Sequence, residues 1–563
     1  MTRISGVRSL AVALGAVFLA AACGGGGGGT PSQTLAADQT LSFPMVDDIG
    51  DLDPALMSAA VDIDIFRNVF SGLYKFADDT SEVPDIAIGA PQISSDLLTY
   101  TFKIRHDVKF SNGDPVTVDD FIYSWDRTER LQGSYASVMD PVAGSQDVAS
   151  GKATHMTGLK KIDDYTFSAT LSQPAGYWYT ELAVWAAWLV DKKVVDKYGD
   201  SKWFTDPSTL IGTGPFKMTA RTPKQSADFA PVANWWGGST GALTKIHIEI
   251  VADQKAQITK YESGGYSLIG YGNQSLTPED VIRYTSDPQL KKQLQLIPYA
   301  RSTWIGFGLC DSSNTSKSCK GKPASPFAGD AGKPGREAFS LAIDRDQLVN
   351  IACSNGTACV KATGGVIPKG QYGYLGDNAD QWAKFDKAQA QTLYKQWDPD
   401  GSKVKDLTWY YNSSAFNKAV CDNLSSQWQA NLGVKVQCSS TDRTAFFNAR
   451  NTCSYNLYRH SWGADYNHPQ DWFDFLFVTN GGSSGSCYSN TQLDQLENQA
   501  NQKPLQQSLD TYKQENKILT DNAVAPALFY GIQQYVTHSY ISGVSGNANY
   551  DNYWTDAKIY QHS

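Results

Sequence analysis

The chain has 563 residues, too many for one hydrophobic core, so two or three domains are expected. Apolar residues make up 41% and aromatic residues 12%, which excludes a chain that is disordered throughout. With 48 basic against 57 acidic residues, a net charge of −9 and no extended run of lysine or arginine, nucleic acid is excluded as a natural partner.

The first predicted element is an export signal at residues 1–22. Arg3 and Arg8 precede an apolar run from Leu10 to Ala22 that is too short to cross a bilayer, and small residues lead up to Cys23. The stretch "LAAAC" resembles a bacterial lipobox, with Leu19 one place further from the cysteine than usual. Cys23 is therefore the expected lipidation site. The glycine run from Gly24 to Gly29 makes residues 23–34 a flexible tether. The expected location is the outer side of the cell membrane, on the extracellular face or in the periplasm, held by a lipid anchor.

Strand and helix patterns then alternate, which predicts an α/β chain. "LTYTFKIRHDVKF" (98–110) alternates like a half-buried strand, and "SNGD" supplies a turn. "TVDDFIYSWDRTER" (117–130) reads as a helix capped by Thr117, with Asp120 three residues on. "TKIHIEIV" (244–251) is a second alternating strand. "GREAFSLAIDRDQLVNIAC" (335–353) reads as one amphipathic helix, with Asp344 and Arg345 as a local ion pair. The segment 492–522 reads as two helices broken near Pro504.

With Cys23 set aside, eight cysteines remain, all beyond residue 300. An even number in an exported chain implies disulfides. Proximity favours Cys310–Cys319, Cys353–Cys359, Cys421–Cys438 and Cys453–Cys487. No C-x-x-C pair occurs, and neither a metal nor a cofactor is expected.

Six blocks in order carry a family resemblance: "DLDPALMSAAVDIDIFRNVFSGLYKF" (51–76), "FSNGDPVTVDDFIYSWDR" (110–127), "IGTGPFKM" (211–218), "NWWGG" (234–238), "REAFSLAIDRDQLV" (336–349) and "SWGADYNHP" (461–469). Together they resemble the large solute-binding proteins of bacterial ABC importers, in the peptide- and nickel-binding group. The resemblance implies a bilobal periplasmic-binding-protein type II fold with an extra inserted domain. Lobe I would take 35–60, 205–300 and 530–563, the inserted domain 61–204, and lobe II 301–529.

The block around Asp465 carries the expected chemistry. In the oligopeptide-binding members that the chain resembles, an aspartate after W-x-A holds the peptide α-ammonium, and here that pattern ends at Asp465. An ammonium taken out of water needs a fixed carboxylate. Trp462 would offer a flat apolar wall and Arg459 would neutralise part of the site. Asp48 and Ile49 stand where similar proteins touch the peptide backbone. His460 and His468 flank Asp465 without the spacing of a metal motif, and read as solvent-facing or turn residues. The implied function is a monomeric, non-enzymatic receptor that passes oligopeptides to an ABC permease. The alternatives are a receptor for a nickel chelate, haem or an oligosaccharide and, further off, an exported hydrolase. Against the hydrolase, neither G-x-S-x-G nor H-E-x-x-H occurs.

If Cys23 carries the membrane anchor, Cys23→Ser moves the protein into the soluble fraction of the expressing cell. Retention that only detergent reverses would contradict lipidation.

Overall fold

The computed structural model describes residues 34–271, 276–481, 487–544, 546–549 and 551–562. The export signal, Cys23 and nearly all of the tether lie outside them. No helix among the described residues is long and apolar enough to cross a membrane.

Three larger sheets organise the chain. One joins Thr40–Met45, Lys245–Ile250, Ser226–Pro231 and Phe216–Thr222, in that order. A second is fully antiparallel and joins Gln92–Ile93, Thr99–Lys103, Thr166–Thr170 and Leu159–Asp163. The largest has seven strands. Its main path runs from Leu268–Ile269 through Ala527–Thr537, Leu294–Phe307, Leu457–Gly463 and Thr408–Asn412 to Gln437–Thr441. Helices pack around these sheets, giving the α/β architecture that the alternating patterns predict.

Two large cores follow. One combines residues between Leu41 and Tyr271 with C-terminal residues from Tyr535 to Ile559, and Tyr466 reaches into it. The other draws on residues between Ala300 and Phe529. Two antiparallel strands run continuously between the cores, with Leu294 opposite Val536 and Trp304 opposite Ala527. Positions 300 and 530, where the lobes were expected to divide, fall inside these strands. The register breaks between Pro298 and Ser302, so Tyr299, Ala300 and Arg301 leave the regular pairing with Ala527–Thr537.

Local sequence accounts for several element ends. The helix Val118–Leu131 starts with a capping box, in which the Thr117 amide donates to Asp120 Oδ2 at 2.9 Å. The expected helix over 335–353 is instead two helices, Gly329–Leu341 and Arg345–Ala352. Asp344 is not an ion-pair partner. Its Oδ1 caps the second helix, accepting from the amides of Asp346 and Gln347. Arg345 is buried and donates to the Ala527 carbonyl at 2.7 Å and to Ser340 Oγ at 2.9 Å. Pro504 separates Thr491–Asn501 from Leu505–Asp521, as expected.

The eight cysteines stand in four pairs at disulfide distance, with Cα separations of 5.2 Å (Cys310, Cys319), 5.3 Å (Cys353, Cys359), 6.0 Å (Cys421, Cys438) and 6.0 Å (Cys453, Cys487). The first and last pairs abut, so that their four sulfurs lie within 4.8 Å of one another in a buried quartet.

Arg127 joins the N-terminal segment to the helix Val118–Leu131. Its guanidinium grips both oxygens of Asp53, with Nη1 to Oδ1 at 2.9 Å, and both side chains are almost fully buried. Its Nε also donates to Asp200 Oδ1 at 2.8 Å. Arg127→Met strands the Asp53 carboxylate in the core and should cost about 3–5 kcal/mol, read as a lower midpoint in denaturant. An unchanged midpoint would show that the pair contributes nothing.

Candidate ligand-binding site

A cavity of about 630 Å³ lies where the two cores face each other. Its wall on one side is the end of the strand Leu457–Gly463 and the residues that follow, Ala464 and Asp465. The irregular stretch 299–301 adds Tyr299 and Arg301. Residues two apart on extended chain share a face, and the register break lets both side chains line the cavity. Arg301 pairs with Gly463 across the sheet, and its guanidinium carbon stands 5.2 Å from the centre of the Tyr299 ring. A Cβ at position 463 would come within 2.7 Å of the Tyr299 hydroxyl. Glycine in "WGAD" is what lets Tyr299 lie there. The opposite wall carries Tyr135, Trp185 and Trp188.

Asp465 lines this cavity, and its Oδ2 is buried without a hydrogen-bond partner. Tyr135 faces the Asp465 carboxyl from across the cavity and favours its charged form. Burial pushes that carboxyl up to about 7, against the pull of Tyr135 and Arg301. Behind it sits Asp471, whose Oδ2 accepts from Trp462 Nε1 at 3.1 Å and from the Asp465 amide at 3.2 Å. Burial and the neighbouring Asp465 drive Asp471 well above the carboxylate range. Two buried carboxyls this close do not both ionise, so Asp471 holds the proton and Asp465 is the one available for charge.

The expected residues are not all brought together. Trp462 lines the cavity, stacked on Phe475 at 5.8 Å. Arg459 lies one step back on the same strand, where Nη1 approaches Asn412 Oδ1 at 3.4 Å and Nε has no partner. Burial, then Arg301 and Arg450, lowers its guanidinium to about 9. Asp48 and Ile49 sit elsewhere. Asp48 accepts from the Lys224 amide and lies 3.5 Å from Arg221, while Ile49 is buried in the first core. Asp47 is the residue of that turn that lines the cavity. His460 and His468 are not solvent-facing: both are buried, His460 stacked on Trp304 at 4.4 Å. His468 is held neutral by burial, down to about 3, and its Nδ1 accepts from the Gln470 amide. Among the described residues the distance-based candidate for a metal is the cysteine quartet, not these histidines.

Residues that the sequence reading missed complete the wall. Arg443, Phe447 and Arg450 share one face of the helix Arg443–Asn451 and all line the cavity. Their i, i+4, i+7 spacing was a visible signal of a common face, though not of what it faced.

Contacts bridge the two sides of the cavity. The Tyr466 hydroxyl lies 2.9 Å from Glu181 Oε1 and 2.5 Å from Gln470 Oε1. One hydroxyl hydrogen serves only one of these, so both bonds form when Glu181 carries a proton. Burial does raise Glu181 well above its ordinary range. Asn467 Nδ2 donates to Thr80 Oγ1 at 2.9 Å, and the Gly176 amide to the Asn501 carbonyl at 2.6 Å. Next to this seam Glu497 faces Asp474 and Glu515. Carboxyl oxygens share a hydrogen bond only if one holds a proton. Burial accordingly lifts Glu497 well above the carboxylate range and Glu515 to about 8.

With this geometry in place, residues 82–484 match the family of bacterial extracellular solute-binding proteins, family 5 (middle). The chain belongs to that family, whose members are solute-binding receptors of ABC importers and not enzymes. It is 24% identical over 571 residues to the periplasmic oligopeptide-binding protein OppA of Salmonella typhimurium, covering 98% of each chain. The murein tripeptide binding protein MppA of Escherichia coli superposes with a TM-score of 0.76 at 24% identity, over 94% of this chain and 100% of that one. OppA of Listeria monocytogenes bound to peptide gives 0.73 at 22% identity, over 94% and 100%. These structures establish the fold as the bilobal type II binding-protein architecture.

The protonated carboxyls along the seam tie stability to pH. Their native pKa values are raised, so the folded form holds protons that the unfolded chain releases above about pH 4. The part due to Glu515 is complete below about pH 4 and disappears as pH rises through about 8. The melting temperature should therefore fall between about pH 5 and pH 8.5. Glu497→Gln supplies a permanent donor and should flatten the slope. A profile that rises over this range contradicts the assignment.

Proposed function

We propose that the protein captures oligopeptides with an unmodified N-terminus and presents them to the permease of an ABC importer. Asp465 carries the reading. It is a carboxylate at the wall of a peptide-sized cavity, with one buried oxygen that no protein group satisfies. An α-ammonium supplies both the missing donor and the missing charge. Trp462 forms the flat wall beside it, and Arg459 tempers the charge from behind. The oligopeptide-binding relatives, OppA of Salmonella typhimurium and peptide-bound OppA of Listeria monocytogenes, support the same substrate class.

In this reading the lobes are 35–60 with 205–300 and 530–563, the inserted domain 61–204, and 301–529. They open and close about the two strands that pass between the cores, and ligand bridges the seam when they close. The receptor works as a monomer tethered through Cys23 outside the cytoplasm. The four cysteine pairs form disulfides there, in an oxidising compartment. They staple the half of the molecule that bears Asp465.

Calorimetry with a short peptide and its N-acetylated twin, on wild-type protein and on Asp465→Ala, tests the amine role. Acetylation or the mutation alone should each cost roughly 3–5 kcal/mol, a hundredfold or more in affinity. The two losses should not add, since each removes the same contact. Equal affinity for free and acetylated peptide would refute the assignment. Tight binding of an oligosaccharide or a nickel chelate without peptide binding would refute the peptide reading as a whole.

A further inference from the structure

The cavity is charged in a way that the amine contact does not explain. Arg301, Arg443 and Arg450 line it, and Arg459 stands directly behind. Among the described residues none of the four makes an ion pair with a carboxylate, whereas Arg67, which also lines the cavity, pairs with Asp551 and Asp64. The other acidic groups of the wall are Asp465, assigned above to an ammonium, and the exposed Asp47. If Asp465 is matched by the peptide N-terminus, the guanidiniums of Arg301, Arg443, Arg450 and Arg459 have no protein counter-charge but a distant one.

Two of them are held in place. Arg443 and Arg450 flank the Phe447 ring, with guanidinium carbons 5.6 Å and 4.7 Å from its centre. A ring face fixes a guanidinium while leaving its in-plane N–H edge directed outward, which is the edge that takes a carboxylate in bidentate fashion. Arg450 is 95% buried by its 5% exposure, and its Nε is anchored on Asn451 Oδ1 at 3.0 Å. Burial lowers its guanidinium to about 10, and Arg450 and Arg301 in turn help to lower Arg459. Crowding like charges away from water is unfavourable unless something of opposite sign arrives. The natural source of that charge is the ligand.

Resting on the peptide reading above, we propose that the preferred ligand is an acidic peptide, one that brings a side-chain carboxylate in addition to its C-terminal one, with the Arg443–Phe447–Arg450 face receiving an anionic group. One terminal carboxylate neutralises one guanidinium, and four stand in or behind the wall. A peptide with basic side chains adds to the excess instead. The receptor thus selects by net charge, while main-chain contacts leave it tolerant of side-chain shape.

The test uses three tripeptides with unmodified N-termini, Ala-Ala-Ala, Ala-Glu-Glu and Ala-Lys-Lys, titrated calorimetrically into the full-length protein. Ala-Glu-Glu should bind at least about tenfold tighter than Ala-Lys-Lys, with Ala-Ala-Ala between them, and the gap should narrow as salt rises. Arg443→Met and Arg450→Met should each shrink the gap by several fold while changing Ala-Ala-Ala less. Arg443 is exposed at the cavity mouth, so its variant keeps the test decisive if the buried Arg450 variant fails to fold. Equal binding of the three peptides, or a gap that survives both variants, overturns the charge preference and leaves the peptide receptor standing. Binding of none of the three overturns both.

Discussion

Everything at this site follows from the cost of holding charge away from water. A buried carboxylate is stable only when hydrogen-bond donors or a positive group surround it. The seam between the two cores gathers Glu181, Asp465, Asp471, Asp474, Glu497 and Glu515, mostly without cations beside them. The molecule solves this by protonation. Glu181 shares the Tyr466 hydroxyl, Asp471 accepts from Trp462 and the Asp465 amide, and of these six acids Asp465 is the one that lines the cavity, its Oδ2 left unsatisfied. Arg301, Arg443 and Arg450 stand apart from these acids on the cavity wall, with Arg301 pulling on Asp465 without forming an ion pair with it.

The fold makes that separation possible through a small irregularity. Where the long strand Leu294–Phe307 slips register against Ala527–Thr537, Tyr299 and Arg301 come to the cavity at the point where chain passes from one core to the other. Ala300 between them is held on both edges: its amide donates to the Ala548 carbonyl at 2.9 Å, and its carbonyl accepts from the Ala464 amide at 2.7 Å.

Much of this architecture was legible in the sequence. Alternating strands, the Thr117–Asp120 cap, the break at Pro504 and the pairing of near-neighbour cysteines all rest on local rules, and local rules survive folding. "WGAD" stood out as a dense, chemically mixed stretch, and Trp462 and Asp465 do line the cavity. What escaped was long-range. Nothing local tells that residue 47 rather than 48 faces inward, since one step along extended chain reverses the side. Arg301 reaches the cavity through a register break that no residue pattern marks. The continuous helix expected over 335–353 failed because Asp344 prefers to cap, and capping residues compete with helix propagation. His460 looked exposed because polar, yet it packs flat on Trp304.

The helix that carries Arg443, Phe447 and Arg450 is short, and a short helix in a loop-rich region is ordinarily free to fray. Here it is bracketed. Cys438, just before it, stands at bonding distance from Cys421 on the long helix Ala415–Leu432, and Cys453, just after it, from Cys487. Both ends of this helix are thus referred to other parts of the fold. On the acidic-peptide proposal, the two brackets hold the arginine face in place for an incoming anion. Discrimination by charge then belongs to first encounter on that proposal, ahead of enclosure of the ligand.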